Sequence, residues 1–83
     1  MHYVYIVECS DGTLYTGYTT DVDRRVGEHN AGEGAKYTRG RTPVSLAHVE
    51  EHETRSEAMS REAEIKGMSR EEKEDLINLY TSG

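Results

Sequence analysis

Tyr3-Val4-Tyr5-Ile6-Val7-Glu8-Cys9 and Thr13-Leu14-Tyr15-Thr16-Gly17-Tyr18-Thr19 are two runs rich in β-branched and aromatic residues, split by Ser10-Asp11-Gly12. Such runs on either side of a turn signal predict a β-hairpin. The loop decides which faces Tyr5 and Tyr15 take. A two-residue Asp11-Gly12 turn pairs residue i with 23 − i and sends the two phenols to opposite faces. A three-residue loop with Gly12 at positive φ pairs i with 22 − i. Tyr5 then opposes Gly17, Tyr15 opposes Val7, and both phenols share one face. The second geometry is expected, because Gly17 leaves space beside Tyr5.

The 83 residues read as one small domain over 1–83 whose core is marginal. There is no Trp or Phe, so six tyrosines carry the aromatic bulk. No apolar run reaches membrane-spanning length and no N-terminal stretch has a signal-peptide profile. The single Cys9 forms no internal disulfide, which fits a reducing cytoplasm. The net charge of −6 weighs against a nucleic-acid partner at face value. Its distribution softens that objection. Residues 1–50 hold seven acids and five bases, and residues 51–83 hold nine acids and five bases. Seven Arg against three Lys, amid many acids, resembles the surface of a protein from a high-salt cytoplasm. In such a setting overall acidity says little about the partner.

Beyond the hairpin, Thr19, Thr20 and Asp21 are N-cap candidates for a helix over Val22 to Asn30, stopped by Gly32 and Gly34. Val22 and Val26 form its apolar stripe. Arg25 and His29, at i and i+4, fall along one edge of that stripe, at the border between core and solvent. Residues 31–43 read as a long loop. Arg24 together with Lys36, Tyr37, Arg39 and Arg41 offers charge and one ring suited to phosphate and base contacts. Val44 to Glu50 alternates like a third strand. No further His or Cys joins His48 and His52 in a zinc pattern. Thr54 to Glu57 is a capping box opening a helix to about Lys66, whose apolar arc is Ala58, Met59, Ala63 and Ile65. Glu62 falls near the middle of that arc, while Arg61 points away. A carboxylate there must be paired, with Arg25 as a candidate, or serve a metal or catalytic site. Ser69 to Glu72 is a second capping box, and Lys73, Leu76, Ile77 and Tyr80 line a closing helix. The order ββαβαα gives an α+β fold with a three-stranded antiparallel sheet flanked by helices.

Val4-Tyr5 and Tyr15-Thr16-Gly17 resemble the two motifs that name the GIY-YIG endonuclease superfamily, and the whole chain is similar to its small stand-alone members. The strings Arg25-x-x-x-His29-Asn30 and Arg61-Glu62-x-x-Ile65-Lys66 resemble the superfamily's helix-borne arginine and glutamate motifs. Tyr3 stands where the first motif opens with glycine, Val4 where it has isoleucine, and Thr16 where the second motif has isoleucine.

The resemblance implies a magnesium-dependent endonuclease that hydrolyses DNA phosphodiester bonds, with Tyr5, Tyr15, Arg25, His29 and Glu62 as catalytic residues. Cleavage needs an activated water and a counter-charge for the transition state. Glu62 can hold one Mg²⁺, or another divalent cation, that keeps most of its waters. Arg25 can grip the phosphate with its planar fork. Tyr5, its phenol acidified by the metal and Arg25, can take the water's proton, with Tyr15 and His29 orienting water or phosphate. A protein partner would supply target specificity. Two other readings stand beside this one: a nucleic-acid-binding module that does little chemistry, and a protein-interaction domain using the acidic C-terminal helices.

Overall fold

The computed structural model describes the chain through residue 82, with side chains through residue 79. Its hairpin joins β1 (His2–Glu8) to β2 (Leu14–Thr19) with Tyr5 opposite Gly17 and Val7 opposite Tyr15. This is the three-residue-loop register. Gly12 takes φ 85°, the left-handed conformation that the loop demands and that glycine adopts without a steric cost. Asp11 braces the loop by accepting from both the backbone N–H and the hydroxyl of Thr13.

The remaining elements are α1 (Val22–Asn30), β3 (Ser45–His52), α2 (Arg55–Lys66) and α3 (Arg70–Ser82), so the fold is α+β with the expected order. The sheet is antiparallel, with strands in the order β2-β1-β3. As the central strand, β1 is covered on both faces, which accounts for its unbroken buried run from Val4 to Val7. Val4 and Ile6 pack with Ala58 and Ile65 of α2, backed by Leu14, Tyr18, Met68, Leu76 and Ile77. Tyr5 and Val7 pack on the other side with Cys9, Val44, Tyr15, Val26 and Val49. Each such fully buried aliphatic side chain contributes about 1.5–3 kcal/mol.

The alternation expected along the third strand breaks at one point. The register against β1 shifts between Ile6↔His48 and Val7↔Leu46, which leaves Ala47 as the extra residue of a bulge. That shift lets Val44 and Val49, an odd number of residues apart, join the same cluster. It also turns His48 and Glu50 toward the α2 side, opposite Ile6 and Val4.

The helix starts follow the capping signals. Asp21 accepts from the Arg24 N–H and Thr54 from the Glu57 N–H. Ser69 and Glu72 bond each other's backbone N–H in a complete capping box. The face of α2 differs from the expected arc. Ala58 and Ile65 are buried, but Met59 and Ala63 are exposed. Leu76 and Ile77 of α3 do turn inward; Tyr80 lies outside the described side chains. No helix among the described residues is long and apolar enough to cross a membrane.

Arg61, assigned to solvent by helical projection, instead reaches back to β3. Its Nε and Nη2 donate to the two carboxylate oxygens of Glu50 at 2.8 and 3.0 Å. His48 Nε2 lies 2.9 Å from the same carboxylate. Burial opposes the Glu50 charge, but the hydrogen bonds from Arg61 and His48 outweigh it and draw the carboxyl down to about 2. The folded-state value lies below the ordinary one, so this stabilisation is complete above the unfolded pKa and is lost as pH falls toward 2. We expect Arg61→Ala to cost about 2–3 kcal/mol at neutral pH, because it leaves a half-buried carboxylate without its main partner. Urea melts across pH check this. In the variant, the loss of stability on acidification should shrink.

Candidate active site

Three elements and one loop bring Tyr5, Tyr15, Arg25 and His29 together on the Tyr5 face of the sheet, while Glu62 comes from the helix on the other face. Tyr5 leaves the central strand and crosses β2 above Gly17. A Cβ at Gly17 would collide with the Tyr5 hydroxyl, so glycine is what lets the phenol lie there. The hydroxyl oxygen sits 2.8 Å from His29 Nε2, in a contact buried between sheet and helix. Tyr15 places its ring edge-on to His29, with centroids 5.4 Å apart. Tyr5 and Tyr15 therefore meet on one face around a common imidazole.

His29 is fully buried rather than at the border of α1. The loop that follows the helix closes over it. His29 Nδ1 lies 2.8 Å from the hydroxyl of Thr38, which is itself fully buried in a short 3-10 turn at Lys36–Thr38. Gly34 packs so closely that a Cβ would strike the imidazole. Asn30 holds the far end of the loop by bonding both backbone groups of Val44. Periodicity gave no sign of Gly34, Thr38 or Asn30 in these roles, because each acts through one local contact in an irregular segment.

Arg25 lies beside the Tyr5 phenol and donates to Glu28 at 3.0 Å. Glu62, from the helix on the opposite face of the sheet, has a carboxylate 13% exposed and 3.6 Å from Lys66 Nζ. Arg25 and Glu62 thus have separate ion-pair partners, and the salt bridge that was one expectation for Glu62 is not formed. Both charges act on Tyr5. Burial is the largest influence and raises the phenol; Arg25 opposes it, while Tyr15 and Glu62 add to it, and the result is about 12. The expected acidification by Arg25 is therefore overridden by burial. Burial likewise lowers His29, with Arg25 adding to the effect and Glu28 partly opposing it. The resting pair is a neutral phenol against a neutral imidazole.

The nucleic-acid candidates separate into two groups. Arg24, Lys36 and Arg39 are exposed. Tyr37 and Arg41 are engaged within the protein. The Tyr37 ring stacks on Tyr15 at 5.7 Å, and the Arg41 guanidinium sits 4.5 Å over it. Arg41 also pairs with Asp11 at 2.9 Å and donates to the Tyr37 carbonyl. Together they tie the loop to the hairpin turn and line one side of Tyr15.

The donors for a metal are sparse. Among the described residues no group of three or more His, Cys, Asp or Glu side chains could hold an ion. A single partly exposed carboxylate, Glu62, fits only a hard, water-rich cation that also draws ligands from a substrate phosphate, which is how Mg²⁺ is commonly bound.

Residues 1–75 match the family model described as the GIY-YIG catalytic domain. A UPF0213 protein of Halobacterium salinarum is 70% identical over 93% of this chain and 100% of its own length. One of Haloquadratum walsbyi is 75% identical over 90% of this chain and 84% of its own. One of Staphylococcus aureus is 59% identical over 92% of this chain and 93% of its own. The solution NMR structure of the Bacillus halodurans UPF0213 protein has 56% identity and a TM-score of 0.62, covering 94% of this chain and 83% of that one. A family-model match over most of its length, supported by these relatives, shows that the chain belongs to the GIY-YIG family.

Proposed function

We propose that the chain is a divalent-metal-dependent endonuclease domain, spanning its whole length, that hydrolyses DNA phosphodiester bonds. The observation that carries this reading is the buried 2.8 Å contact between Tyr5 and His29, set beside Arg25 and within the field of Glu62.

A phenol held near 12 is a poor resting base, so Tyr5 works as a relay. As the attacking water's O–H bond breaks, its proton passes to the Tyr5 oxygen. The phenolic proton moves at the same time to His29 Nε2, and the hydroxide oxygen bonds to phosphorus. The phosphorus–oxygen bond to the leaving nucleotide then breaks, its electron pair staying on the departing oxygen, which takes a proton from solvent water. No free phenolate forms, and the proton rests on imidazole. Arg25, 30% exposed, grips the scissile phosphate and balances the charge that builds on it. Tyr15, edge-on to His29 and stacked on Tyr37, fixes the approach of water or phosphate. When bound at Glu62, the cation supplies Lewis-acid stabilisation of the phosphate oxygens. Arg24, Lys36 and Arg39 supply phosphate contacts along the exposed loop and helix. The acidic surface of a chain 70% identical to a Halobacterium salinarum protein is read as an adaptation to salt, and so does not oppose an anionic substrate.

The relay requires neutral His29. The groups facing it are Arg25 and Glu28 on its own helix, Tyr5 and Tyr15 from the sheet, and Thr38 from the loop. Its pKa lies below the ordinary value, so the single-turnover rate should be flat through neutral pH and fall as His29 protonates on further acidification. That inflection should vanish from the residual rate of His29→Ala. An inflection of the same position in both proteins would remove His29 from the chemistry.

A further inference from the structure

The hydroxyl of Thr38 has two neighbours, and together they fix where its proton lies. It is 2.9 Å from the carbonyl oxygen of Ala35, which also accepts the Thr38 backbone N–H at 3.1 Å; two oxygens this close need a proton between them, and only the hydroxyl can supply it. Its other neighbour is His29 Nδ1 at 2.8 Å. With the hydroxyl proton already committed, the Thr38 oxygen can only accept from that nitrogen. His29 must then carry its proton on Nδ1, which leaves Nε2 with a free lone pair 2.8 Å from the Tyr5 oxygen. The proton order runs from Tyr5 to His29 to Thr38 to the backbone, and each donor meets one acceptor.

We infer that Thr38 is a positioning residue: its buried hydroxyl selects the Nδ1–H tautomer of His29 and aims the Nε2 lone pair at Tyr5. The site would otherwise be ambiguous. A neutral imidazole with Nε2 protonated could equally bond a phenol oxygen, but it could not take a proton from it. The 3-10 turn presents the hydroxyl, and Gly34 lets the loop lie against the ring. Fixing the tautomer in this way is the service that a carboxylate performs for the histidine of a serine protease. Here a neutral hydroxyl does it. A carboxylate so placed would raise the basicity of an imidazole that burial keeps neutral.

The catalytic consequence rests on the nuclease reading above, but the tautomer does not. Long-range ¹H–¹⁵N NMR of the intact chain distinguishes a protonated ring nitrogen from one bearing a lone pair. In the wild type, Nδ1 of His29 should be the protonated nitrogen. Thr38→Ser should keep that pattern. Thr38→Val, nearly equal in shape, removes the acceptor and should move the proton wholly or partly to Nε2. Cleavage kcat should fall about 10- to 100-fold in Thr38→Val, as when an orienting partner of a histidine is lost, with KM little changed and Thr38→Ser close to wild type. A wild-type His29 protonated on Nε2, or a Thr38→Val protein that keeps the Nδ1–H tautomer, overturns the inference. So does unchanged kcat in a variant whose tautomer has moved. If the wild type cleaves nothing while the tautomer responds as described, the nuclease reading fails and the positioning role of Thr38 stands.

Discussion

Replacing Tyr5 by phenylalanine should nearly abolish cleavage while leaving a folded, weakened protein. The ring would still fill its place over Gly17 and keep the packing with Val7 and Val49. Only the hydroxyl is lost, and with it the relay to His29. Proton transfer by a positioned side chain contributes about 10²–10⁴-fold, so the single-turnover rate should drop by that factor. The fold pays separately. His29 Nε2 would be left buried without a donor, a loss of about 1–3 kcal/mol. In a domain of this size each kcal/mol lowers the melting temperature by about 4–8 °C. Thermal melts and cleavage rates on the one variant therefore read two different consequences. A melt shifted as described with cleavage unchanged would make the Tyr5–His29 contact purely structural.

Glu62→Gln should show the opposite balance. Among the described residues the carboxylate's ion-pair partner is the exposed Lys66 one turn along α2, not Arg25. Such a pair is worth about 0.3–0.5 kcal/mol, so stability should barely change. Cleavage should fall by orders of magnitude, since among the described residues no cluster of ligands could replace this carboxylate as the cation's anchor. Melting with and without Mg²⁺, beside a cleavage assay, separates the two effects. A loss of several kcal/mol would mean that Glu62 is a structural ion-pair member. Full cleavage would place the cation elsewhere.

The contrast between these two residues tracks what was legible in the sequence. The hairpin register was readable because Gly17 and Gly12 each satisfy a steric demand that no other residue meets as well, and one register satisfies both. The helix starts were readable because a capping box is a local hydrogen-bond pattern. Glu62 stood out as a charge on an apolar stripe. His29 did not stand out as buried, because α1 carries only Val22 and Val26 as apolar anchors and the cover comes from a loop. A buried hydroxyl such as Thr38 leaves no periodic trace. Helical projection sends Arg61 to solvent because it takes Met59 and Ala63 as inward-facing, whereas both are exposed and the buried face of α2 is rotated away from them. The partner of Arg61, Glu50, stands on β3 and is turned toward α2 by the bulge at Ala47. Long-range pairing and strand phase depend on tertiary packing, and a single chain's pattern does not carry them.

The most direct test is cleavage itself. The purified chain is incubated at low and at high salt with a mixture of duplex, nicked, single-stranded and branched DNA, with Mg²⁺ or with chelator, beside Glu62→Gln and Tyr5→Phe. Strand scission of at least one form is expected, dependent on Mg²⁺ and lost in both variants. A folded wild type that cuts none of them with Mg²⁺ present, or that cuts equally well in either variant, would contradict the nuclease reading.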